Sequence, residues 1–147
     1  MTLFIDLLVT DGADKGMRYT IEAGTYRVIG RSGDQSDSTI HLTQDGDRYL
    51  DADQQALVEE MFQSRASRGL RTRFRRRGSD VLIDDTSVSR THAVVFADTE
   101  GVSVADLMST NGTKVNGTPI HDMDLQEGDV IQIGKTRFAI ASPQEES

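Results

Sequence analysis

The 147-residue sequence predicts an all-β fold, an antiparallel β-sandwich carrying one inserted α-helical segment. Two observations predict it. At both ends of the chain, short runs of apolar and β-branched residues are separated by clusters of Gly, Asn and Asp, the pattern of strands joined by tight turns. Between those ends, residues 51–70 change to helical spacing. A chain of this length can bury a core without disulfide or metal staples.

The elements follow in order. Residues 3–10 read as a strand, 11–16 (Asp-Gly-Ala-Asp-Lys-Gly) as a turn, and 17–22 as a second strand with Tyr19 and Ile21 on one face. Ala23 and Gly24 turn the chain into a third strand over 26–29. Residues 38–42 have strand character. The helix over 51–70 starts at Asp51, an N-cap with Gln54 three residues on in capping-box spacing, and Gly69 is the expected stop. Leu57, Val58, Met61 and Phe62 share one side of it and are expected to pack on the sandwich. Strands resume at 80–83, 92–97, 102–106, 113–115, 129–133 and 136–141. The sandwich is therefore expected from residues 1–33 and 80–142, a helical and Arg-rich insert from 34–79, and a flexible tail from 143–147.

Charge is divided unevenly. The net charge is −8, yet seven arginines and no acid lie between Arg65 and Arg77, so setting those seven aside leaves −15 on the rest. An acidic body repels nucleic acid and anionic lipid, while the arginine run attracts phosphate locally. Cysteine is absent, which rules out disulfides and thiolate metal sites and fits a reducing cytoplasm. The apolar start, Leu3-Phe4-Ile5, is cut by Asp6 and reads as a strand, neither a signal peptide nor a membrane span. No phosphate-binding glycine loop and no metal-ligand spacing occurs, so neither cofactor nor metal is expected. The Asn-Gly-Thr sequons at Asn111 and Asn116 read as turns.

Three short segments carry the chemistry: Gly30-Arg31; Ser89-Arg90-Thr91-His92; and Ser109-Thr110-Asn111-Gly112-Thr113, followed by Val115-Asn116-Gly117. Each alone is weak. In this order, with strands between them, they resemble the signature of the forkhead-associated (FHA) family, over about two thirds of the chain. The resemblance implies a β-sandwich that binds phosphothreonine peptides without catalysis. A phosphothreonine brings about −1.5 to −2 charges and three acceptor oxygens, suited to a guanidinium fork with hydroxyl and N–H donors. By resemblance, Arg31 and Ser89 would contact the phosphate, Thr110 would add a hydrogen bond, and Asn111 would hold the peptide main chain. Arg90 would assist with peptide or phosphate. His92 would brace the Ser89 loop from within, and Gly30, Gly112 and Gly117 would supply backbone freedom, with Asn116 completing a hairpin turn. The insert, much longer than the family's usual gap at this place, is the chief departure.

The implied partner is a phosphothreonine-containing protein, a Ser/Thr kinase or its substrate, and the implied role is that of an adaptor in kinase signalling. The arginines of the insert, Arg71, Arg73, Arg75, Arg76 and Arg77, would extend the positive surface toward acidic partners. Two other readings stay open: nucleic-acid binding through the segment from Arg65 to Arg77 with Phe74 interleaved, and a phosphate-independent scaffold or oligomerisation role. Enzyme chemistry is not expected, because Ser89 and His92 lack a nucleophile-elbow context.

Overall fold

The computed structural model describes residues 4–32, 50–67, 76–97 and 101–141. The expected strand at 38–42, the Gly69 stop, most of the arginine run with Phe74, and the tail lie outside those residues, as does the side chain of Phe62.

Two sheets face each other. The first contains β1 (Phe4–Asp11), β2 (Arg18–Glu22), β8 (Thr113–Val115), β9 (Thr118–Ile120), β11 (Val130–Ile133) and β12 (Thr136–Ala141), in the order β2-β1-β12-β11-β8-β9. The second contains β3 (Thr25–Arg31), β4 (Arg76–Arg77), β5 (Val81–Ile83), β6 (Ala93–Ala97), β7 (Val102–Asp106) and β10 (Asp122–Leu125), in the order β10-β7-β6-β3, with β4 and β5 both on the outer edge of β3. Pairing is antiparallel except at that edge, where the chain returning from the insert runs parallel to β3. Tyr26 pairs with Arg77 and Ile29 with Val81, so two residues of β3 face three on the edge strand, a one-residue bulge. Gly78 sits in it, its N–H donating to the Tyr26 carbonyl at 2.7 Å, and a Cβ there would lie 3.0 Å from Arg27 Cγ.

The inner faces interlock around Leu7, Ile21, Ile29, Val95, Val104, Ile131 and Phe138, all buried. A second apolar layer lies on the outer face of the β3-β6-β7 sheet, beneath the helix α1 (Ala52–Ser67), where Leu50 and Val58 pack on Val28, Val94, Phe96, Ala105 and Leu107. This double cover explains β6: all five of its residues, Ala93-Val94-Val95-Phe96-Ala97, are apolar and buried, because the strand has no solvent face. The capping box at the start of α1 is reciprocal. The Asp51 carboxylate accepts the Gln54 N–H at 2.8 Å, and Gln54 Oε1 accepts the Asp51 N–H at 3.1 Å. Val58 is buried, and Leu57 and Met61 are half-buried, so the apolar side of the helix faces the sheet.

β4, β9 and β10 are strands absent from the sequence reading. They are short and lie at or next to the sheet edges, and their composition disguises them: Arg76-Arg77, Thr118-Pro119-Ile120 and Asp122-Met123-Asp124-Leu125. Charge and proline on edge strands block further pairing. Among the described residues no helix is long and apolar enough to cross a membrane.

Candidate functional site

Two loops meet at one end of the sandwich, one between β5 and β6 and one between β7 and β8. β3 delivers Arg31 beside the first, with the Arg31 N–H donating to the Ser89 carbonyl at 3.1 Å. Cross-links join the two loops. The Ser89 hydroxyl accepts the Thr110 N–H at 3.1 Å, Asn111 Nδ2 donates to the Ser87 carbonyl at 2.8 Å, and His92 Nε2 lies 2.8 Å from the Gly112 carbonyl. A hydroxyl that accepts from the Thr110 N–H keeps its own proton for donation. Arg31 and Ser89 are half-buried, and Arg90, Thr110 and Asn111 are exposed.

His92 is wholly buried beneath this junction. Its Nδ1 accepts the Ser89 N–H at 3.0 Å, which assigns the ring proton to Nε2 and makes Nε2 the donor to Gly112. Burial lowers its pKa below the usual histidine value, and the Gly112 hydrogen bond and the Asp106 carboxylate only partly oppose that. The neutral ring is the species that fits, since an imidazolium would set a second N–H against the Ser89 donor.

Gly112 and Gly117 have φ of +80° and +84°, and Asn116 has +51°. Asn116 and Gly117 thus form a two-residue hairpin turn of the I′ kind between β8 and β9. Asn116 does more than turn: its carboxamide accepts the Val130 N–H and donates to Asp129, each at 3.0 Å, tying the hairpin to β11. Gly30 is an ordinary extended residue of β3, paired with Leu82, so no unusual backbone angle is its reason.

Three residues support the loops in ways the sequence does not show: Asp106, Asp85 and Gln54, the last legible there only as half of a capping box. Asp106 accepts from the Ser109 N–H (3.1 Å), the Ser109 hydroxyl (2.5 Å) and the buried Thr113 hydroxyl (2.7 Å), and Ser109 in turn holds the Gly112 N–H at 2.9 Å. An Asp three residues before a Ser in a loop is the local signal that could have found it. Asp85 accepts from both the hydroxyl and the N–H of Ser87, from the Lys135 N–H and from the Thr136 hydroxyl. Burial opposes its charge, yet these hydrogen bonds outweigh burial and its pKa is lowered. Gln54, from α1, reaches Thr91 and Leu107. Beside Asn111 an open groove of about 320 Å³ is lined by Ser87, Lys114, Gln132 and Lys135 among others. Among the described residues no cluster of metal-binding side chains occurs.

Residues 73–134 match the family model of the FHA domain. The chain carries an FHA domain. Among its relatives is an oxoglutarate dehydrogenase inhibitor from Corynebacterium efficiens, 46% identical over 66 residues that make up 44% of this chain and 46% of the relative. The FHA fold extends across the chain: a solved structure from a study of phosphothreonine-dependent FHA domain interactions is 25% identical, covers 94% of this chain and 95% of its own, and superposes with a TM-score of 0.55. A second, the FhaA FHA domain complexed with the intracellular domain of Rv3910, is 25% identical, covers 92% of this chain and 98% of its own, and gives a TM-score of 0.53. The chain spans less than half the length of the curated relatives it matches. The residues that the sequence singles out, Arg31, Ser89, Arg90, Thr110 and Asn111, all stand at or beside the two cross-linked loops.

Proposed function

We propose that this FHA domain is a phosphothreonine-peptide recognition module, a non-enzymatic adaptor in cytoplasmic Ser/Thr-kinase signalling. The observation that carries the reading is the preformed loop junction: Ser89 is held at once by Arg31 through its carbonyl, by His92 through its N–H and by Thr110 through its hydroxyl. A loop held in place before a ligand arrives needs less ordering on binding. In this reading Arg31 and Ser89 take the phosphate, Thr110 adds a hydrogen bond, Asn111 holds the peptide main chain and Arg90 assists. His92, Gly30, Gly112, Asn116 and Gly117 support the loops. The sandwich of residues 1–33 and 80–142 is the reading module and the 34–79 segment, whose returning end Arg76–Arg77 pairs with β3, is an insert in it. The relatives support the reading: one is named as an inhibitor of a dehydrogenase, and the solved FHA structures come from phosphothreonine-dependent interactions and from a complex with another protein's intracellular domain.

The test is fluorescence anisotropy with a degenerate phosphothreonine peptide library, against unphosphorylated and phosphoserine libraries, at two salt concentrations. Micromolar affinity for the phosphothreonine library, about −8 kcal/mol, is expected. Equal affinity for the unphosphorylated library, falling steeply with salt, would instead identify a polyanion site and refute the reading.

A further inference from the structure

The inserted helix reaches the site loops through one side chain. Gln54 is 8% exposed, and its Nε2 donates to Thr91 Oγ1 at 2.8 Å and to the Leu107 carbonyl at 3.1 Å, with the Thr91 carbonyl at 3.3 Å. Its Oε1 is taken by the Asp51 N–H. The carboxamide cannot be turned over, because the carbonyls of Thr91 and Leu107 only accept and the Asp51 N–H only donates. Thr91 belongs to the Ser89 loop, and Leu107 begins the loop that carries Thr110 and Asn111. The Leu107 N–H also donates to the His92 carbonyl at 2.8 Å. One carboxamide thus ties both loops together on the helix side, in addition to the Ser89–Thr110, Asn111–Ser87 and His92–Gly112 bonds between them. Leu50, Val58 and Leu107 pack in one buried apolar cluster around this bridge, where low polarity strengthens it.

We infer that Gln54 is a positioning residue of the phosphopeptide site, which makes the inserted helix part of the binding machinery; the inference rests on the phosphothreonine-reading function proposed above. A ligand held by both loops needs them at one spacing. Apparent affinity falls in proportion to the fraction of molecules that keep that spacing, and the bridge raises this fraction. Linkage then requires that whatever shifts the helix shifts phosphopeptide affinity, and that bound peptide steadies the helix by the same factor.

The experiment uses the full chain and the phosphothreonine library, with Gln54→Ala and Gln54→Glu. The glutamate keeps an acceptor for the Asp51 N–H and loses both donors. Ile21→Val, in the buried face of β2, serves as a stability control. Both Gln54 variants are expected to weaken binding about five- to tenfold, whereas Ile21→Val lowers the unfolding midpoint and leaves affinity unchanged. Thr91→Val combined with Gln54→Ala should be less than additive in affinity. In the ligand-free Gln54→Glu protein, amide resonances of Ser89, Thr91, Thr110 and Asn111 should shift or broaden. Phosphate-dependent binding by the wild type, with both Gln54 variants within about twofold of it, would overturn the inference and leave the functional reading intact. Unaltered loop resonances in Gln54→Glu would overturn it as well. A wild type indifferent to phosphate would remove the functional reading first, and the inference with it.

Discussion

Replacing His92 with alanine tests the brace beneath the site. The imidazole is fully buried and makes two hydrogen bonds, one accepted from the Ser89 N–H at 3.0 Å and one donated to the Gly112 carbonyl at 2.8 Å. Alanine leaves both backbone partners unpaired in the interior, at about 1–1.5 kcal/mol each. The cavity left by the ring adds about 1–2 kcal/mol. The expected loss is therefore about 3–5 kcal/mol, a large part of a typical domain stability of about 5–15 kcal/mol. Isosteres divide the loss. Asparagine places an oxygen near the Nδ1 position and restores the Ser89 side, and glutamine places an NH₂ near Nε2 and restores the Gly112 side, each recovering about 1 kcal/mol. Urea unfolding of the three variants measures this. A loss below about 1 kcal/mol in His92→Ala would refute the assigned hydrogen bonds.

Acid should act through the same residue. The folded protein lowers the pKa of His92, so below about pH 6.5 the unfolded chain binds the proton more readily and stability falls as pH falls, down to the folded value. Urea midpoints at pH 7.5 and 5.5 should show this loss, and His92→Gln should remove part of it. Asp106→Asn should destabilise by about 2 kcal/mol, because one carboxamide cannot accept from Ser109 twice and from Thr113 while its NH₂ faces a donor. Unfolding within about 0.5 kcal/mol of wild type would contradict the hub role of Asp106. Gly134→Ala should cost about 1–3 kcal/mol in a thermal melt: φ is +61°, and a Cβ would lie 2.5 Å from Ser87 Oγ and 3.0 Å from an Asp85 carboxylate oxygen.

Much of this molecule is legible locally. The strands β1, β2, β6, β7, β11 and β12 announce themselves through apolar runs between turn residues, and Asp51 with Gln54 marks the start of the helix through spacing alone. The signature residues are legible because short loops carry them together. What escapes depends on distance in sequence. Gln54 bonds Thr91 and Leu107 across separations of 37 and 53 residues, and no local pattern encodes that. The edge strands β9 and β10 hide behind Pro119 and the acids Asp122 and Asp124, residues suited to an edge exposed to water. The parallel pairing of β4 and β5 with β3 is set by where the insert returns the chain, and Arg76-Arg77 reads locally as a charge run.

In the function proposed above, phosphothreonine is read at the junction of the two loops. Titrating the ¹⁵N-labelled chain with a phosphothreonine peptide selected from the library, while following amide resonances by NMR, tests it most directly. Saturable shifts are expected at Arg31, Ser89, Arg90, Thr110 and Asn111, absent with the unphosphorylated peptide and lost in Arg31→Ala. Shifts confined to another surface, or undiminished in Arg31→Ala, would contradict it.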